Sequence, residues 1–342
     1  MRPRPSADRP SADRAAVPSS AGSPDAGTPV IDVCDGVHDA ESWRALLAGM
    51  AADAPGFLEF FAAPLAAAAG HDRAAVRRRL AAGAADAVTL ERVAEGLATD
   101  IDAHAGRLRA AGVRRQVLHG ADFPLPGGGT INDRLAERCA RHPGLLEAWC
   151  GVDARDPGRA VAEIDRCAAL GMRGVVVLPF VSGVAPGDRA HHRVYEHAAR
   201  LGLPLWLHCG LNLARHRPMT RPADLDHVAA RHPALRIVAG HGGWPWVGEL
   251  VAVMMRQPNI YLDTSAHDPA AMAAPGSGWE PLLFHLPGAL RRRVVFGSAA
   301  WTHGTGVERF VAGVHALGLD ERTRRAWLHD NAAALLGLPA AE

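Results

Sequence analysis

The chain has 342 residues, 37 basic against 36 acidic side chains, a formal net charge of +1 and 48% apolar residues. That length fits one large core, and the near-neutral charge argues against nucleic acid or an anionic membrane surface as a partner. Every basic residue is Arg and none is Lys, so no lysine serves as a Schiff base, a carboxylated ligand or a general base.

Residues 1–28 carry a tandem Arg-Pro-Ser-Ala-Asp repeat starting at Arg4 and Arg9, followed by more Pro, Ser, Gly and Ala. Such a composition buries too little to order itself and reads as a disordered tail. No apolar run follows the basic start, so the segment is not a secretory signal. Cys34, Cys139, Cys150, Cys167 and Cys209 show no Cys-x-x-Cys pair and no regular spacing. Reduced thiols in a cytoplasmic protein are the expectation.

From residue 29 onward strand and helix patterns alternate. Eight short apolar runs read as strands: 30–34, 114–119, 146–152, 174–179, 203–208, 235–241, 259–264 and 293–298. Most lack polar alternation, as parallel strands buried on both faces do. Helical patterns lie between them at 131–141, 157–170, 190–201, 223–231 and 246–256, and 321–336 reads as a closing helix. The pattern predicts an α/β fold, a (β/α)8 TIM barrel over 29–338. About eighty residues separate the first two strands, far more than a crossover needs. Residues 37–112 are therefore expected to form a helical insertion and the first barrel helix, with runs at 42–52, 71–82 and 90–111. The insertion lies over the barrel mouth as a lid or packs on its side.

Working residues of such a barrel sit at the carboxyl ends of its strands. Pro204-Leu-Trp-Leu-His208 and Arg236-Ile-Val-Ala-Gly-His241 each deliver a histidine there, and two imidazoles on one face form a metal site or an acid–base pair. The alternative is a pair of hydrogen-bonded core histidines. Cys34 ends the first strand, where a thiolate would complete a tetrahedral zinc set with His208 and His241. The other strand exits carry His119 with Asp122, Asp153, Asp263 with Thr264 and Ser265, and Ser298 with Ala299. Trp206, Trp244, Trp246 and Trp301, with Arg215, His216 and Arg217, form an aromatic and basic set suited to a planar, carboxylate-bearing substrate. A plugged mouth with solvated arginines is the competing account.

The succession Gly171-Met-Arg-Gly-Val-Val-Val, Leu203-Pro-Leu-Trp-Leu-His208, His232-Pro-Ala-Leu-Arg-Ile-Val-Ala-Gly-His241-Gly-Gly, Asn259-Ile-Tyr-Leu-Asp-Thr-Ser265 and Val294-Val-Phe-Gly-Ser298 resembles the amidohydrolase-related family of metal-dependent barrels, which includes aminocarboxymuconate-semialdehyde decarboxylase and resorcylate-type decarboxylases. The resemblance spans about residues 29–338 and implies a divalent metal, usually zinc, at the strand exits. It also implies where the ligands fall. His208 and His241 match the histidines after strands five and six. The first-strand pair is Cys34 and Gly36, and the aspartate that binds metal and carries protons is Ala299.

Asp122 and His303 are the nearby groups able to substitute for that aspartate. The chain is thus expected to be a hydrolase or a non-oxidative decarboxylase (lyase) with an altered metal site, acting on a small organic acid, lactone or cyclic amide. His208 and His241 are its expected catalytic residues, with zinc held through Cys34 or no metal at all. The competing reading is an inactive binding or scaffolding subunit, as a homo-oligomer or paired with a competent homologue. A small-molecule receptor using the same pocket is a third.

Overall fold

Eight parallel strands follow one another around a single sheet in chain order. They are β1 Val30–Asp35, β2 Val113–His119, β3 Leu146–Val152, β4 Val175–Val177, β5 Leu205–His208, β6 Ile237–Gly240, β7 Ile260–Asp263 and β8 Val294–Val295. This computed structural model describes residues 28–338 except 37, 54–55, 57, 59–62, 82–86, 215–216 and 218. The expected tail lies outside the described residues up to position 27. Two backbone bonds bring β1 against the segment after β8: Val33 N donates to the Phe296 carbonyl (2.9 Å) and Ala299 N to the Cys34 carbonyl (2.7 Å). The sheet is thereby a nearly closed (β/α)8 barrel.

Both faces of the strands are buried, which is why their sequences do not alternate. Inward-facing Ile31, Val33, Val117, Trp149, Val176, Trp206, Val238 and Val295 fill the barrel, joined by Ala332, Ala333 and Leu335 of the closing helix. A second layer between strands and outer helices holds residues such as Leu118, Cys150, Ile164, Leu205, Leu250 and Phe310. Gly240 shows how tightly the interior is filled, since a Cβ there would lie 2.2 Å from the Trp206 ring.

Several expected strands are shorter than the apolar runs that announce them. The run 235–241 overshoots: β6 ends at Gly240, and His241 begins a one-turn helix, His241–Gly243, with φ 58°. The run 90–111 is two helices, Ala87–Leu97 and Ile101–Ala110, because Asp100 caps the second by accepting from Ala103 N (2.8 Å). The closing segment is helical as expected, with a π-turn at Ala326–Asp330 before Asn331–Leu336.

Helices Ala40–Asp53, Ala63–Ala68, Arg73–Ala81, Ala87–Leu97 and Ile101–Ala110 are described between β1 and β2. Trp43, Leu46, Leu47, Leu58, Val76, Leu90 and Val93 form their own core, which rests on Ala121, Leu125 and Ile131 after β2 and on Trp301 after β8. The helices before Ile101 therefore pack on loops at the carboxyl end of the barrel, whereas Ile101–Ala110 joins the main barrel core through Ile101, Ala105 and Leu108. No helix among the described residues is long and apolar enough to cross a membrane.

Candidate active site

A cavity of about 730 Å³ opens at the carboxyl ends of the strands. Trp43, Leu46 and Met50 from the helices after β1 wall one side of it, while Cys34, His119, Trp206, His208, His241, Trp244 and Trp301 come from the barrel. Register explains why the two principal histidines meet. His208 pairs with Gly240 across β5 and β6, so His241 stands one residue beyond His208 on the neighbouring strand, and the ring centroids are 5.1 Å apart at 75°.

Hydrogen bonds fix the tautomer of His241. Its Nδ1 lies 2.8 Å from Ser265 Oγ and 3.3 Å from the Ser265 carbonyl. A carbonyl only accepts, so Nδ1 carries the proton. Ser265 Oγ then donates onward to Asp263 Oδ2 (2.5 Å), which also accepts from Trp206 Nε1 (2.9 Å). An Asp263–Ser265–His241 relay results, leaving Nε2 of His241 as a lone pair. Burial holds the His241 pKa down at about 4 and raises Asp263 to about 6 against its hydrogen bonds, so at neutral pH a carboxylate orients a neutral imidazole. His208 is held well below its usual pKa by burial and by His241, and its buried Nδ1 has no hydrogen-bond partner.

The corner built by β1, β2 and β8 is different. Cys34 Sγ lies 3.7 Å from Nδ1 of His119, whose Nε2 donates to the Val33 carbonyl (3.1 Å). The thiol therefore donates to a neutral ring. Burial first, and then Asp263, raise the thiol well above its usual pKa, while burial holds His119 at about 3. Asp35 also lines the cavity, accepts from Gly36 N (2.8 Å) and Gln116 Nε2 (3.1 Å), and is pushed up to about 8 by burial and by Asp32.

The expected ligand set of Cys34, His208 and His241 is not drawn together. Among the described residues the one group of three whose ligand atoms all lie within 4.8 Å of one another is Cys150, Glu163 and Cys167. Those three sit between β3 and the helix Pro157–Ala169 and not at the mouth. Gly36 is crowded, since a Cβ there would lie 3.0 Å from Trp301 Nε1 and the indole would have to give by a few tenths of an ångström. The donors present do not fit the implied five-ligand centre.

Of the substitutes for the missing aspartate, Asp122 pairs with Arg159 (2.8 Å) and does not line the cavity. His303 lines it and meets the Ala266 carbonyl through Nε2 (3.0 Å). Trp206, Trp244 and Trp301 are wall residues, whereas Trp246 stacks beneath Arg221 (4.5 Å) outside the cavity. Arg215 and His216 lie outside the described residues, and no arginine among the described residues lines the cavity. Asp35, His38 and His267 are wall residues that periodicity did not single out. The relay through Ser265 was visible only as a strand-exit run, because a hydrogen bond between β6 and β7 leaves no spacing signal.

Residues 95–338 match the amidohydrolase family. The chain belongs to that family. No curated protein matches the chain. Among solved structures, this amidohydrolase is similar to an uncharacterized TIM-barrel protein from Bordetella bronchiseptica, with TM-score 0.64 and 20% identity over 90% of this chain and 98% of that one. It is also similar to 5-carboxyvanillate decarboxylase from Sphingomonas paucimobilis, with TM-score 0.61 and 16% identity over 91% and 100%. A third is dihydroxybenzoic acid decarboxylase from Polaromonas, with bound manganese and the inhibitor 2-nitroresorcinol, at TM-score 0.59 and 17% identity over 92% and 98%. Such identities establish the shared barrel, and the amidohydrolase assignment itself rests on the family match.

Proposed function

We propose that this amidohydrolase is an enzyme of the hydrolase or non-oxidative decarboxylase kind that acts on a small planar molecule, an organic acid, lactone or cyclic amide. His241 is its general base and His208 its second imidazole. The observation that supports this most is the relay from Asp263 through Ser265, which leaves a neutral imidazole lone pair in a cavity of about 730 Å³. In a hydrolysis, Nε2 takes the proton of the attacking water, and the imidazolium that forms is stabilised by the Asp263 carboxylate two hydrogen bonds away. In a decarboxylation of a phenolic acid, Nε2 first takes the phenol proton and then delivers it to the ring carbon as the bond from that carbon to the carboxylate breaks and CO2 leaves. Trp206, Trp244 and Trp301 offer indole faces for a flat substrate, and Arg215 is the proposed partner of a substrate carboxylate.

The second reading, an inactive binding or scaffolding subunit, draws on Gly36 and Ala299. A panel of lactones, cyclic amides, 2,6-dihydroxybenzoate and 5-carboxyvanillate, incubated with the purified chain and with His241→Ala, separates the two. Turnover lost in the variant supports the acid–base site. Binding without turnover of any of them by the wild type supports the scaffold.

A further inference from the structure

The first-strand and last-strand positions at which the family resemblance implies metal ligands, Cys34, Gly36 and Ala299, meet at one corner of the barrel mouth. Its side chains already close on one another. Cys34 donates to His119, and His119 donates to the Val33 carbonyl. His119 stacks on Trp149 (centroids 6.1 Å apart, 9° between planes) and meets the edge of Trp206 (4.9 Å), so its position is fixed on both faces. Trp301 stands hard against Gly36, its Nε1 3.0 Å from where a Cβ would lie, packs on Trp43 (5.1 Å) and lies between the cavity and a smaller one of about 370 Å³ that also borders Asp35 and Gly36. Ala299 supplies no donor, and its backbone N–H is committed to the Cys34 carbonyl.

We propose that this corner is a metal-free hydrogen-bonded plug, in which Trp301 takes the volume of the first-strand ligand and the Cys34–His119 pair replaces coordination. The chain therefore works on its ligand without a divalent cation, and its two retained histidines are free of coordination.

The test is independent of turnover, so it separates this proposal from the acid–base reading. MnCl2 is titrated into chelator-stripped wild type and followed by the spin-resonance signal of the free ion, with ZnCl2 titrated by calorimetry. The wild type is expected to bind no more of either ion than His208→Ala does. One equivalent bound by the wild type and lost in His208→Ala would overturn the proposal. A triple variant, Gly36→His with Ala299→Asp and Trp301→Ala, is expected to gain one manganese, at least about tenfold more tightly than the double variant that keeps Trp301. Equal binding by the double variant would overturn the role of Trp301. So would a triple variant that keeps its melting transition and binds no manganese.

Discussion

The two halves of the cavity wall each carry histidine at a strand exit and end in different states. Around β5, β6 and β7, His208, His241, Ser265 and Asp263 leave two nitrogens uncommitted, Nε2 of one ring by tautomer and Nδ1 of the other for want of a partner. Around β1, β2 and β8, Cys34, His119, Trp301 and the Ala299 backbone are bonded to or packed on one another. Both contain histidine at a strand exit. What distinguishes a reactive group from a structural one here is whether its hydrogen bonds close inside the protein, since a committed buried donor or acceptor has nothing left for a ligand.

The largest effect that would break this contrast is on His241. Replacing it with Ala is expected to lower kcat/KM on an identified substrate by about 10²–10⁴-fold, the usual contribution of a positioned acid–base group, while His119→Ala lowers it far less. Equal losses would mean that the halves are not different. Next, Trp301→Ala is expected to cost about 3 kcal/mol of unfolding free energy in urea titrations, at the low end for a large-to-small change because the ring is half-buried. Ser265→Ala should cost about 1 kcal/mol of transition-state stabilisation, roughly fivefold in rate, by removing one hydrogen bond from the relay.

The pH dependence sharpens the comparison further. His241 titrates at about 4 in the folded protein, below the usual value near 6.5, so the base form persists in mild acid and the acid limb of kcat/KM is expected near pH 4. Asp263, raised to about 6, loses its charge first, so a partial fall near 6 is expected before the full loss near 4, and a single complete limb near 6.5 would show that the ring is not buried in the active enzyme. For stability the sign follows from linkage. The lowered imidazoles of His38, His119 and His241 contribute stability present above about 6.5 and lost as pH falls toward 4 and 3. The raised carboxyl of Asp35 acts oppositely, costing stability as pH rises from about 4 through about 8. Asp35→Asn should therefore raise the melting temperature more at pH 8.5 than at pH 5.

Much of the barrel was legible because buried parallel strands write themselves as unbroken Val, Ile and Leu runs. All eight strands fall within a residue or two of the runs at their amino ends. Most carboxyl ends fall within a residue as well, while the runs overshoot β4 and β8 by two and three residues and β6 by His241, since nothing in composition marks the turn to positive φ. The pairing of His208 with His241 followed from topology alone. The divergence of Cys34 from them did not, because a thiol at a strand exit looks the same whether it faces a metal or His119. Trp301 was read as a wall residue, and its second contact, with Gly36, depends on a loop whose path no residue pattern specifies.

The bond from Ala299 N to the Cys34 carbonyl has a consequence for how such a barrel changes over time. The hoop is fastened there by main chain, and both residues at the fastening are ones whose side chains a metalloenzyme would need. Those side chains can be exchanged without opening the seam. Chemistry at this point of the rim is interchangeable while architecture is not, which makes positions 34 and 299 natural grafting points for a designer who wants new donors in an old scaffold.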